Sequence, residues 1–166
     1  SSVGARWFTE CDWRIGERPE LLARLAAAGC VQVLVGFESP VFRHPGMGPK
    51  IAQRERLYDA VRAIQEAGIA VLGCFIVGSD GETLATLETL TETLLDAPMA
   101  DIQLTLETPF PGTPLYRRYA KQGRLLPRGW DHYTLFDVVH QPDAMSVSEL
   151  ELGFRETLRA VFGPGP

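Results

Sequence analysis

Residues 65–82, QEAGIAVLGCFIVGSDGE, contain the end of a helix, a complete strand and the turn that follows it. Gly68 separates the helix end from Ala70–Val77, which is apolar at almost every position. A strand of this kind is typical of a parallel sheet that is covered on both faces. The earlier residues 26–39, AAAGCVQVLVGFES, show the same order of helix end, glycine, apolar strand and glycine-bearing turn. The repetition predicts consecutive βα units in a parallel sheet or a barrel.

The rest of the chain continues this alternation of strands and helices. Further apolar or alternating runs predict strands at 6–13, 31–38 and 101–108, and a short strand at 135–139. The predicted helices are one that begins at Pro19, one at about 53–67, one at 83–96, one that begins at Pro114 behind a Thr113 cap, and a last one with a capping box of Ser146 and Glu149. Residues 40–50 are predicted to form a loop, since they are rich in proline and glycine. The pattern indicates an α/β fold with mostly parallel strands.

Composition narrows the class of protein. The 166 residues are 45% hydrophobic and 22% charged, which predicts a packed core. The net charge of -5, without a dense Lys/Arg run, argues against a nucleic-acid partner. We find no apolar run of about 18 residues for a membrane span and no signal-peptide pattern. The three cysteines match neither a disulfide framework nor a short metal-ligand motif, and we expect them to be reduced thiols in a cytoplasmic protein.

Two strand ends carry candidate site residues, because ligands of βα barrels bind beyond the carboxyl ends of the strands. Glu38 ends an apolar strand, where an unpaired buried charge is costly, and the pattern leaves open whether it binds a ligand or caps the next loop. Gly78 and Gly81 either let a flat ligand approach the backbone or serve a tight turn capped by Asp80 and Thr83. The missing lysine excludes a Walker phosphate loop.

The strand predicted at 101–108 has one apolar and one polar face. Gln103, Thr105 and Glu107 share the polar face, which fits either a barrel lumen that binds a ligand or a strand with one wet face. Glu10 and Asp12 share one face of the first strand and are candidates for the same lumen.

Lone basic residues are weaker candidates. The histidines His44, His132 and His140 show no metal-ligand spacing, so surface or core positions are expected. Lys50 follows the proline- and glycine-rich loop and either reaches an anionic ligand or is simply solvated.

Several segments together resemble the radical S-adenosylmethionine (SAM) superfamily, most closely its cobalamin-binding branch with magnesium-protoporphyrin ester cyclase-like and hopanoid-modifying enzymes. The matching segments are PELLARLAAAGCVQVLVGFES at 19–39, LYDAVRAIQEAGIAVLGCFIVGSDGET at 57–83, TLETPFPGTPLYRRYAKQGRLL at 105–126, WDHYT at 130–134 and MSVSEL at 145–150. They occur in the order that the family has. The PFPGTPLY motif, joined to the upstream GFES and FIVG motifs, is the most specific combination.

The resemblance implies a partial TIM-like (βα)6 barrel in which a [4Fe–4S] cluster and SAM lie at the strand ends, and of which this chain would be the second half. One-electron reduction of SAM would give a 5′-deoxyadenosyl radical. Glu38, with Ser39 beside it, would contact polar groups of SAM; Ile76 and Gly78 would lie near the adenine. The segment at 108–111, with Thr108 and Pro109, would border the same pocket, and Glu10 would be a further contact. We therefore expect the strand tips that carry Glu38, Gly78 and Thr108 to converge on one adenosyl-sized hollow.

The chain departs from the family pattern in one large respect, since it contains no CxxxCxxC motif to hold the cluster. We therefore expect a fragment, catalytically inactive on its own, with residues 1–125 as the end of the barrel and 126–166 as a C-terminal extension. The parent protein would use SAM, a [4Fe–4S] cluster and cobalamin for methylation or cyclisation of a small organic substrate, whereas the fragment would hold none of these cofactors firmly. An open barrel edge predicts self-association.

Two other interpretations of the residues are kept open. One is a complete small α/β module that binds a nucleotide or a phosphate. The other is a barrel-derived scaffold without catalytic activity. An upstream CxxxCxxC in the reading frame would favour the fragment, whereas a start codon at Ser1 would favour the alternatives.

Overall fold

The computed structural model describes residues 4–42 and 54–163. The strands are β1 (Trp7–Cys11), β2 (Cys30–Glu38), β3 (Ala70–Val77) and β4 (Asp101–Leu106). The helices are α1 (Pro19–Ala27), α2 (Arg54–Glu66), α3 (Leu84–Leu95), α4 (Pro114–Lys121) and α5 (Val147–Phe162), with short 3₁₀ helices at Trp13–Glu17 and Trp130–His132.

The four strands form one parallel sheet in chain order, β1-β2-β3-β4. Each strand therefore pairs with the next one along the chain, and a helix lies in each connection. Right-handed connections between successive parallel strands place their helices on the same face of the sheet. This singly wound order is that of a partial βα barrel, and it confirms the predicted α/β fold class.

The two faces of the sheet differ in burial, as a barrel wall requires. On the helix-covered face, Val33, Val35 and Val71 are fully buried. The rings of Phe37 and Phe75 stack there with centroids 5.5 Å apart. Residues that alternate with these along β2 and β3 are only half-buried. Burial of apolar side chains on the first face therefore supplies the core, and the second face is left for another role.

The predicted helix ends are confirmed where the local signals were clear. Pro19 occupies the first turn of α1, and the Thr113 side chain accepts a hydrogen bond from the Tyr116 amide at the start of α4. Ser146 and Glu149 form the reciprocal capping box of α5. These caps satisfy amide groups that a helix leaves unpaired at its N-terminus.

Three strand predictions need correction. The strand predicted at 6–13 ends at Cys11, because the Asp12 carboxylate accepts a hydrogen bond from the Arg14 amide, 2.9 Å away, and starts a 3₁₀ helix. The strand predicted at 101–108 ends at Leu106. The prediction at 135–139 is wrong: Leu135 has a φ of 74°, outside the extended region, and the antiparallel bridge in this part of the chain joins Leu125 to His140 instead.

The C-terminal segment packs against the end of the sheet. Helix α5 lies on α3, where the hydroxyl oxygens of Thr91 and Thr157 are 2.7 Å apart. The amide of Leu106 donates to the carbonyl oxygen of Leu135 over 2.7 Å, so the segment before α5 also covers part of the β4 edge. None of the helices in the described ranges is long and apolar enough to cross a membrane.

Candidate functional site

A hollow of about 650 Å³ lies on the half-exposed face of the sheet. Residues from all four strands line it, together with one residue of the C-terminal segment. The lining residues are Glu10, Cys11, Asp12, Leu34, Gly36, Glu38, Cys74, Ile76, Gln103, Thr105 and Leu135. The volume falls within the range of about 300–1,000 Å³ that small-molecule sites occupy.

Strand register brings the lining residues into adjacent rows. Ile76 of β3 pairs with Thr105 of β4, and two residues earlier on each strand Cys74 pairs with Gln103. On the other side of β3, Gly36 pairs with Cys74, after which an irregularity in the register shifts the end of β2. Since parallel strands end at the same edge, these rows form one continuous wall at the carboxyl ends.

The carboxylates of the hollow lie close to the Cys74 thiol. Burial, followed by the negative charges of Glu38 and Glu10, raises the pKa of Cys74 above its ordinary value. Glu38 has a φ of 62°, and a Cβ atom at Gly36 would lie 2.8 Å from its Oε1 atom, so the Glu38 carboxylate lies over Gly36. The missing side chain at Gly36 therefore makes room for Glu38 inside the hollow.

The hollow is equipped for binding rather than for nucleophilic catalysis. The Cys74 thiol donates to Gln103 Oε1 over 3.7 Å, and Thr105 Oγ1 donates to the Phe75 carbonyl oxygen over 3.1 Å. Burial raises the pKa of Cys11 to about 11, so both thiols stay protonated near neutral pH and are weak nucleophiles. Within residues 4–42 and 54–163, no group of three His, Cys, Asp or Glu side chains is arranged to hold a metal ion.

The structure brings together three of the seven cofactor-binding residues predicted from the sequence. Glu10, Glu38 and Ile76 line the hollow, as do Asp12, Gln103 and Thr105 from the polar faces. The other four are Ser39, Gly78, Thr108 and Pro109, which are buried and are not among the residues that line it.

Local contacts account for the positions of Ser39 and Thr108. Ser39 Oγ accepts hydrogen bonds from the amides of Val41 and Phe42, at 3.3 and 2.9 Å, and so closes the turn after β2. Thr108 Oγ1 donates to the Leu106 carbonyl oxygen over 3.1 Å at the end of β4. Both side chains are therefore used in hydrogen bonds to the backbone at the strand ends.

Gly78 packs against the C-terminal helix. Its φ is 94°, and a Cβ atom there would lie 2.9 Å from Cδ2 of the buried Leu150 in α5. Its carbonyl oxygen is hydrogen-bonded to Nε2 of His140, 3.0 Å away. The glycine therefore permits close packing of the C-terminal segment on the β3 tip.

A buried polar network, here called the tip network, joins the ends of β3 and β4. The Glu82 carboxylate accepts hydrogen bonds from the amides of Gly78 and Ser79, at 2.5 and 3.0 Å. Glu107 accepts from Ser79 Oγ at 2.7 Å and from the Tyr119 hydroxyl at 2.6 Å. Burial raises the pKa of Glu82 to about 7. The two amide hydrogen bonds lower this pKa and only partly offset the effect of burial, whereas the nearby negative charge of Glu107 raises it further. Glu107, for which a lumen and a wet face were both open, instead accepts hydrogen bonds from Ser79 and Tyr119 in this network.

Asp80 connects the tip network to α4 and to the residues that follow it. Its carboxylate lies 2.6 Å from Arg124 and 3.1 Å from Arg118. Burial alone would raise the pKa of Asp80, but the Arg124 guanidinium and the other partners hold it below its ordinary value. These ion pairs hold the turn between β3 and α3 in place.

Sequence reasoning did not identify five of the lining residues as candidates, which are Cys11, Leu34, Gly36, Cys74 and Leu135. Alternation along β2 and β3 would have found Leu34 and Cys74, since they lie an even number of positions from Glu38 and Ile76. Leu135 has no such signal, because it follows an irregular segment.

The remaining candidates lie outside the hollow or outside the described residues. His132 pairs with Asp131 and Asp137, and His140 is buried. His44 and Lys50, the predicted loop at 40–50 beyond residue 42, and the helix start predicted at 53 lie outside the described residues.

Comparison with curated proteins finds relatives along almost the whole chain, although no protein-family profile matches it. The bacteriochlorophyllide d C-12(1)-methyltransferase of Chlorobaculum tepidum is 24% identical over 98% of this chain and 35% of its own length. An uncharacterised methyltransferase of Pyrococcus horikoshii is 34% identical over 67% of this chain and 24% of its own. The anaerobic magnesium-protoporphyrin IX monomethyl ester cyclase of Cereibacter sphaeroides is 27% identical over 86% of this chain and 23% of its own length.

A solved structure shows the same arrangement of elements. The radical SAM methyltransferase TsrM from Kitasatospora setae, with tryptophan and a SAM analogue bound, is similar with a TM-score of 0.55 and 25% identity. The match covers 90% of this chain and 30% of TsrM. The same enzyme is also known with cobalamin and a [4Fe–4S] cluster bound. This chain thus spans about a third or less of the length of the relatives that it matches.

Proposed function

This chain is related to the radical SAM superfamily and, within it, to the cobalamin-binding branch, and from this premise we propose that its sheet is the second half of a SAM-binding (βα)6 barrel. The observation that carries the proposal is the hollow, which lies at the carboxyl ends of the parallel strands and contains Glu38 and Ile76. The similarity to TsrM covers 90% of the chain.

The lining residues fit the chemistry of SAM. Glu38 and Glu10 offer carboxylate acceptors for hydroxyl and amino groups, and Ile76 and Leu34 offer an apolar surface for the adenine ring. When bound, SAM supplies a transferable methyl group or, after reduction, a radical. The role of this chain is to orient the nucleoside and to keep one side of it away from water.

The residues described here do not fit an iron–sulfur cluster. The sequence has no CxxxCxxC motif, and the described side chains offer no metal-binding group of three. We assign the cluster to another segment of a longer protein, in which residues 1–125 end the barrel and 126–166 form an extension. On this proposal the 166-residue chain alone does not cleave SAM.

The charge of the hollow disfavours a phosphate-binding module. Three carboxylates line it, those of Glu10, Asp12 and Glu38. Within the described part of the chain, the lining includes no Arg, Lys or His. A phosphate would meet like charges there, which are repulsive at close range.

The proposed reaction of the whole protein is methylation or cyclisation of a small organic molecule. Support comes from the relatives, which are methyltransferases and a cyclase by name. Cobalamin is proposed as a further cofactor because TsrM binds it. The proposal includes a cytoplasmic location, as oxygen-sensitive clusters require a reducing compartment.

Anaerobic reconstitution of the full gene product tests this function. We expect iron and acid-labile sulfide in the ratio of a [4Fe–4S] cluster, bound cobalamin, and conversion of SAM to 5′-deoxyadenosine or S-adenosylhomocysteine. The 166-residue chain under the same conditions is the control and should give neither product. A full reading frame without a cluster motif, or a loaded cluster without SAM turnover, would contradict the proposal.

The free edge of β1 predicts self-association of the isolated chain. Among the described residues, β1 pairs with β2 on one side only, and the side chain of Phe8, a residue of β1, is 66% exposed. An edge strand with an exposed aromatic residue pairs readily with another strand. Small-angle scattering should give a mass above that of a monomer, and Phe8→Glu should lower it. Leu152→Glu, which changes an exposed leucine of α5, should leave the mass unchanged; a strictly monomeric wild-type chain would exclude this association.

A further inference from the structure

Two residues in the described ranges, Glu38 and Leu135, have positive φ angles without being glycine, at 62° and 74°. Both line the hollow, although they come from distant parts of the chain. A left-handed backbone is sterically unfavourable for a side chain such as leucine. Residues held in this way are common at ligand-binding sites, where the surrounding structure maintains them.

Contacts on both sides hold the Leu135 backbone in place. Its carbonyl oxygen accepts the Leu106 amide over 2.7 Å at the edge of β4. Thr134 Oγ1 donates to Asp137 Oδ2 over 2.7 Å and accepts the Phe136 amide over 3.1 Å, forming a tight turn around Leu135. The conformation is therefore determined by hydrogen bonds that do not involve the Leu135 side chain.

Packing of the protein does not account for a leucine at this position. Val138 and Val139, a few residues on, are fully buried and anchor the segment. Phe136 points to a separate groove beside α5, which Leu106 and Phe154 also line. Within the described residues, Leu135 is not among the apolar side chains that pack against the core. Leu135 instead lines the hollow, on the side of β4, where Thr105 is also a lining residue.

We propose that Leu135 is a specificity-determining residue of the site, and that its side chain packs against an apolar part of the organic substrate. This rests on the proposed function, since it assigns the β4 side of the same hollow to the substrate. The carboxylates lie on β1 and β2, whereas Leu135 adds an apolar group at the opposite end of the sheet. The negative charges of the hollow and the Leu135 side chain therefore lie at opposite ends of the sheet.

Binding of Nile red, a neutral and planar apolar dye, to the full gene product tests the assignment. Leu135→Gly should weaken the dye affinity about tenfold, since several buried methyl and methylene contacts are lost. Leu135→Met conserves volume and should stay within about twofold of the wild type. Phe136→Ala, which changes the neighbouring exposed aromatic residue, should also stay within about twofold.

The alternatives have distinct outcomes. Glycine adopts positive φ readily, so Leu135→Gly should not lower the melting temperature. A lower melting temperature in Leu135→Gly would assign the residue to the fold and overturn the proposal. Unchanged dye affinity in Leu135→Gly would also overturn it, as would a loss of dye affinity in Phe136→Ala equal to that in Leu135→Gly. Calorimetric titration of SAM into the unsubstituted protein is independent of the dye: absence of SAM binding would overturn the proposed function, whereas the dye result would still decide the role of Leu135.

Discussion

Glu38→Ala is expected to lower SAM cleavage by the reconstituted full gene product by on the order of 100-fold, because a displaced reactant loses the benefit of its orientation. Glu38 ends β2 and lies over Gly36 inside the hollow, close enough to Cys74 for its charge to raise the thiol pKa. It is thus placed to accept hydrogen bonds from a ribose hydroxyl or an amino group. Production of 5′-deoxyadenosine and the SAM dissociation constant are the two quantities to measure.

Matched variants separate the charge of Glu38 from its shape. Glu38→Gln keeps one acceptor oxygen and should lower SAM cleavage roughly tenfold, since charged hydrogen bonds are about twice as strong as neutral ones. Glu88→Ala removes an exposed carboxylate on α3 and should have no effect. If Glu38→Ala keeps the wild-type SAM affinity and cleavage rate, Glu38 has no role in binding SAM.

Gly78→Ala is expected to destabilise the chain by about 3 kcal/mol. The φ of 94° costs a side chain about 1–2 kcal/mol, and overpacking of a tight contact adds about 1–3 kcal/mol. The added Cβ would lie 2.9 Å from Leu150, which is fully buried and has little room to move. The shift of the urea midpoint at constant slope measures the loss.

Gly68→Ala is the control for the backbone contribution alone. Gly68 has a similar φ of 82°, but a Cβ atom there would meet nothing within 4 Å. Gly68→Ala should therefore lower the free energy of unfolding by only about 1–2 kcal/mol. Equal losses of stability in the two variants would show that the close contact between residue 78 and α5 adds nothing to the cost of the substitution.

The sequence predicts the fold well where its signals are local. The apolar strand Ala70–Val77 has the predicted bounds, and Ser146 caps α5, because burial period and capping depend on residues close in sequence. The strand predicted at 135–139 fails because Val138 and Val139 are apolar for a different reason, which is burial beneath an irregular segment. Apolar runs of this length do not distinguish the two cases.

The site is predicted in part, for an analogous reason. Alternation along a strand correctly places Glu10 and Thr105 on the same face of the sheet. It does not reveal which distant side chain occupies the space beside Gly78, or that Tyr119 binds Glu107. These contacts depend on how the C-terminal segment folds back, which leaves no periodic pattern in the sequence.

A crystal structure of the anaerobically reconstituted full gene product with SAM bound would test the central claim most directly. We expect the adenosyl group to lie in the hollow, in contact with Ile76 and within hydrogen-bonding distance of the Glu38 carboxylate. A SAM molecule bound elsewhere, or side chains from the rest of the protein filling the hollow, would contradict the claim.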